Sequence, residues 1–190
     1  MTPASTFNDE TAREAVLRSA DHVFYARGVA ATAMAEIRDD SGVSLRRLYG
    51  MYPSKRDLVE AWLTTRHAEW MTWFRSSVGD GRRKGSGAVD AVFDAIASWA
   101  SDPGYRGCAF LNTAAEQGEI DETHREVIAE HKRQVISYLS ELLDEAYGPG
   151  HGILGASLAV LVDGAVVQSA VLGTPEPIEA ARACARKLVA

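Results

Sequence analysis

The chain has 190 residues, of which 46% are hydrophobic and 24% charged, with a formal net charge of −6 and two cysteines. That hydrophobic fraction excludes a disordered chain, and so few cysteines exclude a disulfide framework. The acid excess is uneven: residues 1–56 carry eight Lys and Arg against seven Asp and Glu, whereas 57–190 carry twelve against nineteen, so any nucleic-acid role belongs to the N-terminal part. The polar start, Met1–Thr6, has no apolar signal core, and the most apolar window, Gly152–Gly173, is interrupted by Asp163 and Gln168. The reading is a cytoplasmic protein with no membrane span.

No period-2 alternation is sustained, and helical signals run throughout, so the predicted class is all-α. Asn8 caps a first helix whose inward set is Val16, Leu17, Ala20, Val23 and Phe24, and Gly28 ends it. Thr32 caps a second helix with Met34 and Ile37 inward. Gly42 breaks that helix and Ser44 caps a third. Ser54 and Asp57 form a capping box that opens a fourth helix, running to about Val78. Gly79–Gly87 reads as a flexible linker.

A fifth helix covers about Ala88–Ser101 and a sixth about Cys108–Gln117. The seventh spans about Glu122–Tyr147, opened by a capping box at Thr123–Glu126. The eighth spans about Ile153–Leu172. The ninth is capped by Thr174, has Pro175 at its first position and runs to about Val189. These elements divide into a three-helix N-terminal domain, residues 1–53, and a helical bundle, residues 54–190.

Residues 32–52 are a helix, a tight turn at Gly42 and a short second helix, which is a helix-turn-helix. No acid stands between Ser41 and Arg56, while Arg46, Arg47, Lys55 and Arg56 are cationic. Leu45, Leu48, Tyr49 and Tyr52 recur at one-face spacing, so periodicity turns that side inward. Arg46 and Arg47 then face out, and an arginine reads guanine O6 and N7 through two hydrogen bonds. Gly50 leaves room for a duplex to approach the backbone. Ser44 and Ser54 open helices whose free amides suit phosphate.

Gly42-Val43-Ser44, Leu48-Tyr49 and Tyr52-Pro53-Ser54-Lys55 with Leu58, preceded by Ala20, Phe24, Gly28, Thr32, Met34 and Ile37, resemble the TetR family of bacterial transcriptional regulators. The specific resemblance covers about residues 12–60. It implies an N-terminal DNA-binding domain and a larger ligand-binding, dimerising domain. It further implies that Thr32, Tyr49 and Lys55 hold phosphates, while Leu45, Arg46 and Arg47 stand at the base-reading positions. Periodicity buries Leu45 where the resemblance exposes it. Arg46 and Arg47 replace the family's usual small residue and Thr, Gly50 replaces a common His, Met51 a common Tyr, and Arg38 a usual Ala. These departures fall on the reading face.

The body must then dimerise and bind an effector. The eighth helix is apolar around most of its circumference and rich in small residues. With the ninth helix (Ile178, Ala181, Ala185, Leu188) it is the predicted homodimer interface, about Ile153–Leu172 and Ile178–Leu188. Aromatic and polar candidates for an effector pocket are Trp62, Trp70, Trp73, Phe74, Phe93, Trp99, Cys108, Phe110, Asn112 and Tyr138. Three tryptophans on one helix favour a large apolar or aromatic ligand.

Cys108 reads either as a small buried residue or as a reactive thiol, since some electrophile-sensing members of the family carry one after a similar Gly. Cys184 reads as structural. His124 and His131 share a helix face, but no third ligand has metal-binding spacing, so no metal and no cofactor are expected. No nucleophile–base pair can be assembled, so no enzyme is expected. The expected function is a ligand-responsive transcriptional regulator, a repressor that binds double-stranded palindromic operator DNA as a dimer and is released by a small molecule. The alternative is a helical small-molecule-binding or enzymatic protein with a vestigial helix-turn-helix.

Overall fold

The structure is a computed structural model and describes residues 9–116 and 121–190. It is all-α, with no strand among those residues. The elements are α1 (Asp9–Arg27), α2 (Met34–Ser41), α3 (Leu45–Met51), α4 (Lys55–Arg83), α5 (Ala88–Ala100), α6 (Ala109–Glu116), α7 (Glu122–Tyr147), a 3-10 turn (His151–Leu154), α8 (Gly155–Leu172) and α9 (Glu176–Leu188).

Several predicted helix ends are corrected. Asn8 lies outside the described residues. The N-cap of α2 is Ala33, not Thr32, and no side chain caps it. Thr32 instead turns its hydroxyl back to donate to the Gly28 carbonyl at 2.7 Å. α4 continues through the predicted linker to Arg83, because its glycines stay helical until Gly85 takes φ +97°. At α7 the Asp121 carboxylate accepts from Thr123 N at 3.0 Å and does the capping expected of Thr123. α8 starts at Gly155, after the 3-10 turn, and the N-cap of α9 is Pro175 rather than Thr174.

The chain forms two compact units. The first is Met1–Arg66 with Asn112–Val127. Its core is Ala12, Val16, Ala20, Val23 and Phe24 from α1, Met34 and Ile37 from α2, Leu48 from α3, and Leu58, Trp62 and Leu63 from α4. Each large side chain removed from water contributes about 2 kcal/mol. Polar groups inside this unit are paired. Ser19 donates to Ile37 O at 3.2 Å, and Trp62 Nε1 donates to Asp21 Oδ1 at 2.8 Å. Arg66 also pairs with Asp21 and lies over the Tyr25 ring, 4.1 Å from its centroid.

The second unit is His67–Leu111 with Ile128–Ala190. Phe74, Phe93, Ile96, Leu139, Leu143 and Ile178 are its fully buried large side chains. α9 is clamped to α5 by ion pairs, Arg182 to Asp94 at 2.6 Å and Arg186 to Asp90 at 2.6 Å. α8 meets α7 at Gly155, where a Cβ would lie 2.1 Å from Ser140 Oγ and 2.8 Å from its backbone nitrogen. Only glycine permits that approach.

The stretch His151–Leu172 is, contrary to expectation, long and apolar enough by length and composition to cross a membrane. One side of it, Leu158, Val162, Ala165 and Val166, is buried inside the unit. Its one charge, Asp163, is paired with Lys132 at 2.6 Å.

Candidate nucleic-acid interface and effector core

The turn between α2 and α3 is set by Gly42, which takes φ +68° and returns its N–H to Arg38 O at 3.0 Å. A side chain at that backbone angle is strained, so the residue is glycine. Ser41 Oγ accepts from Val43 N at 3.2 Å, and Ser44 Oγ accepts from Arg47 N at 3.4 Å, capping α3 as expected. Val43, Leu48 and Tyr52 are buried and fix the rotation of α3 on the core. That rotation puts Arg46, Tyr49 and Gly50 on the exposed side, with Leu45 half-buried between the two readings of it. A Cβ at Gly50 would meet nothing within 4 Å, so nothing inside the chain requires glycine there.

The remaining predicted DNA residues are placed less uniformly. Arg47 is half-buried and pairs with Asp9 at 2.7 Å. Lys55 is half-buried, with Nζ 3.5 Å from Ala30 O, and burial lowers its pKa against the opposing pull of Glu116 and Glu36. Thr32 is buried, 2% exposed, and its hydroxyl is committed to Gly28, so it does not present a side chain outward. Ser54 and Asp57 make the predicted reciprocal box, Ser54 N donating to Asp57 Oδ2 at 2.8 Å and Asp57 N to Ser54 Oγ at 3.2 Å.

The effector candidates do not form one group. Trp62 and Asn112 belong to the first unit, and Trp62 is consumed in its core against the Phe24 ring, 5.2 Å away between centroids. In the second unit, Trp70 stacks on Phe74 at 4.7 Å, meets Trp73 at 6.2 Å and stands edge-on to Trp99 at 5.9 Å. Tyr138 stands edge-on to Phe74 at 5.7 Å, and Phe93 is fully buried. Cys108 is buried, with Lys132 Nζ 3.8 Å from its sulfur.

Sequence reasoning missed the polar members of this cluster. His131 stacks on Phe110 at 3.7 Å and 8°, and its Nδ1 lies 3.0 Å from Nδ1 of His67. Gln134 Oε1 lies 3.0 Å from His67 Nε2. His67 and His131 stand on different helices, and no motif in the chain announces the pairing. His124, which shares a helix with His131, belongs to the first unit, with its Nε2 3.0 Å from Arg56 O. No group able to hold a metal is found among the described residues.

A capped helix-turn-helix with exposed cationic side chains, followed by a separate helical unit, defines a DNA-binding regulator with a C-terminal helical domain. The chain belongs to the TetR family of bacterial transcriptional regulators. Residues 16–62 match the model of bacterial regulatory proteins of the tetR family, and residues 85–185 match that of the tetracyclin repressor-like C-terminal domain.

Among solved structures, SCO4454, a TetR-family transcriptional regulator from Streptomyces coelicolor, is 29% identical with a TM-score of 0.78, covering 94% of each chain. Reduced NemR from E. coli is 21% identical with a TM-score of 0.81, covering 94% of this chain and 97% of its own. A TetR regulator from Chloroflexus aurantiacus is 24% identical with a TM-score of 0.75, covering 93% and 92%. The last two likenesses show the fold alone. No curated protein matches the chain.

Proposed function

We propose that this regulator is a cytoplasmic repressor that binds palindromic operator DNA as a homodimer and is released by a small molecule held in residues 54–190. Residues 1–53 then supply the reading head. Arg46 and Leu45 meet base edges, and Arg47 joins them when operator phosphates compete with Asp9 for its surroundings. Tyr49 and Lys55 hold phosphate, Ser44 orders the helix start, and Gly50 lets the duplex approach. Thr32 serves by shaping the loop rather than by offering its hydroxyl.

The observation that carries the dimer is the outer face of α8. Ile153, Val160, Val167 and Val171 are 84%, 70%, 42% and 79% exposed. The three valines recur on α8 at steps of seven and four residues, with Ala156 and Gly164 four residues before and after Val160, so they form one stripe, and Ile153 lies in the 3-10 turn that precedes it. On α9, three of the residues expected at the interface, Ile178, Ala181 and Ala185, are buried within the unit. Ala180, Cys184 and Leu188 are the exposed positions that continue the apolar surface. A two-fold pair of α8–α9 faces would cover it and set two reading heads on half-sites roughly 34 Å apart, or a multiple of that. An effector acts by favouring one dimer geometry over the other.

The test is fluorescence anisotropy with DNA from around the protein's own gene, beside light scattering for mass. Wild type is expected as a dimer with sequence-specific, salt-dependent binding. Val160→Glu is expected to give monomers and at least about 100-fold weaker operator binding, through loss of the linked second half-site. A monomeric wild type, or specific affinity unchanged by Arg46→Ala with Arg47→Ala, would overturn the reading.

A further inference from the structure

Four polar side chains of the second unit form a directional chain that ends on an unused atom. Glu130 pairs with Arg133 at 2.9 Å and accepts from Gln134 Nε2 at 2.9 Å. Gln134's amide, then Arg133's guanidinium, hold the Glu130 carboxyl below its ordinary range, so it is an acceptor only. Gln134 must therefore turn its nitrogen to Glu130 and its oxygen, Oε1, to His67. His67 Nε2, 3.0 Å from that oxygen, must carry the proton.

A neutral His67 then has a bare Nδ1, and the Nδ1 of His131, 3.0 Å away, must donate to it. The proton of neutral His131 is thereby placed on Nδ1, and its Nε2 is left as a bare acceptor on the far side of the ring. Burial, followed by the charge of Lys132, lowers the His131 pKa to about 2, which keeps that ring neutral.

The surroundings of this acceptor are aromatic. Phe110 stacks on one face of His131, and Trp70 stands edge-on at 5.3 Å. Trp70 Nε1 is itself buried with no hydrogen-bond partner among the described residues. A buried indole N–H normally finds an acceptor. The cluster thus sets an unanswered buried donor and a ring nitrogen that the tautomer chain leaves as an acceptor on neighbouring aromatic rings.

We propose that this cluster is the recognition site for a neutral hydroxy-aromatic ligand of the phenol type, whose O–H donates to His131 Nε2, whose oxygen accepts from Trp70 Nε1 and whose ring stacks among the aromatic side chains. The assignment rests on the reading of the protein as an effector-responsive regulator and gives that effector a chemical class. A hydroxyl oxygen is donor and acceptor at once and answers both groups. A methyl ether has no proton for His131. A carboxylate sets lone pairs against the bare Nε2, and a ring held neutral has no proton to offer it.

Isothermal titration calorimetry with 2-naphthol, 2-methoxynaphthalene and 2-naphthoate tests the site. 2-Naphthol is expected to bind at least about tenfold tighter than either analogue, because a site built around a hydroxyl rejects its absence. His131→Phe keeps the stacking on Phe110 and is expected to bring naphthol down to the ether. Trp70→Phe, which keeps an aromatic ring while losing the N–H and part of the indole's volume, is expected to narrow the same gap and serves if His131→Phe fails to fold.

Long-range 15N–1H spectra of the wild type should show His131 protonated at Nδ1 and His67 at Nε2. No binding of naphthol, equal affinity for the ether, tighter binding of naphthoate, or His131 protonated at Nε2 would each overturn the assignment. The same samples titrated with operator DNA separate the two levels. Specific DNA binding without naphthol selectivity sinks the ligand class alone, whereas loss of specific DNA binding sinks the regulator reading beneath it.

Discussion

Trp62 and Trp70 lie on the same helix and have opposite fates. Trp62, in the first unit, is 2% exposed and gives its indole N–H to Asp21 at 2.8 Å. Trp70, in the second, has a buried N–H with no partner among the described residues. The contrast extends to the neighbourhoods. Around Trp62 the buried polar atoms are closed on each other: Ser19 on Ile37, Thr32 on Gly28, Arg66 on Asp21. Around Trp70 the histidine pair is closed on itself and on Gln134, but the indole N–H is left open, and the outer face of α8 is left apolar as well. A unit that only has to hold a reading helix in register gains by satisfying its interior. A unit that must receive other molecules keeps unsatisfied groups where they will bind.

The sharpest way to break this comparison is to remove both indole N–H groups. Trp62→Phe deletes a hydrogen bond to a charged acceptor and leaves a void, and is expected to cost about 3 kcal/mol in urea unfolding. Trp70→Phe leaves a similar void but removes a donor that had no partner among the described residues, and is expected to cost about 1 kcal/mol less. Equal costs would show that Trp70 is as structural as Trp62.

A smaller effect comes from pH. His131 has its folded pKa lowered to about 2, whereas an exposed unfolded histidine titrates near 6.5. Between those values the unfolded chain binds a proton that the folded chain refuses, so stability is full above about pH 6.5 and is lost as pH falls. From pH 6.5 to 5 the expected loss from this group is about 2 kcal/mol. It is measured as the extra fall in urea midpoint of wild type over His131→Phe, and parallel curves would show that the ring is not held neutral. The smallest effect is at Gly50. Alanine there meets no atom and raises helix propensity, so about 0.5–1 kcal/mol of added stability is expected. Operator affinity is nonetheless expected to fall severalfold, and a Gly50→Ala protein that gains in both would remove the steric role.

The first unit was legible in the sequence because its determinants are local. Gly42, the Ser44 cap, the Ser54–Asp57 box and the spacing of Val43, Leu48 and Tyr52 all act within a few residues. What failed there was also local competition. Thr32 satisfied the Gly28 carbonyl instead of the α2 start, and Asp121 outcompeted Thr123 for α7. In the second unit, the run from Gly79 to Arg83 stayed helical although its glycines suggested a linker.

In the second unit the class of each helix was readable and the chemistry was not. His67 meets His131, and Phe110 stacks on His131, only because separate helices are packed together, and no spacing along the chain encodes such a meeting. The apolar face of α9 was read outward for a related reason. Periodicity finds the apolar face of an amphipathic helix, but that face, Ile178 to Ala185, was already used inside the unit.

The brevity of α3 has a consequence for motion. It is seven residues long, has glycine near its end, and closes with the Tyr52 N–H on Leu48 O at 2.9 Å. So short a segment does not hold helical shape by itself in water. Its order comes from Val43, Leu48 and Tyr52 gripping the core beneath it. Amide hydrogens of α3 should therefore exchange well before those of α1, and bound operator should slow them selectively. Part of what distinguishes one DNA sequence from another is then how completely it freezes this segment, a contribution that a count of contacts to bases would miss.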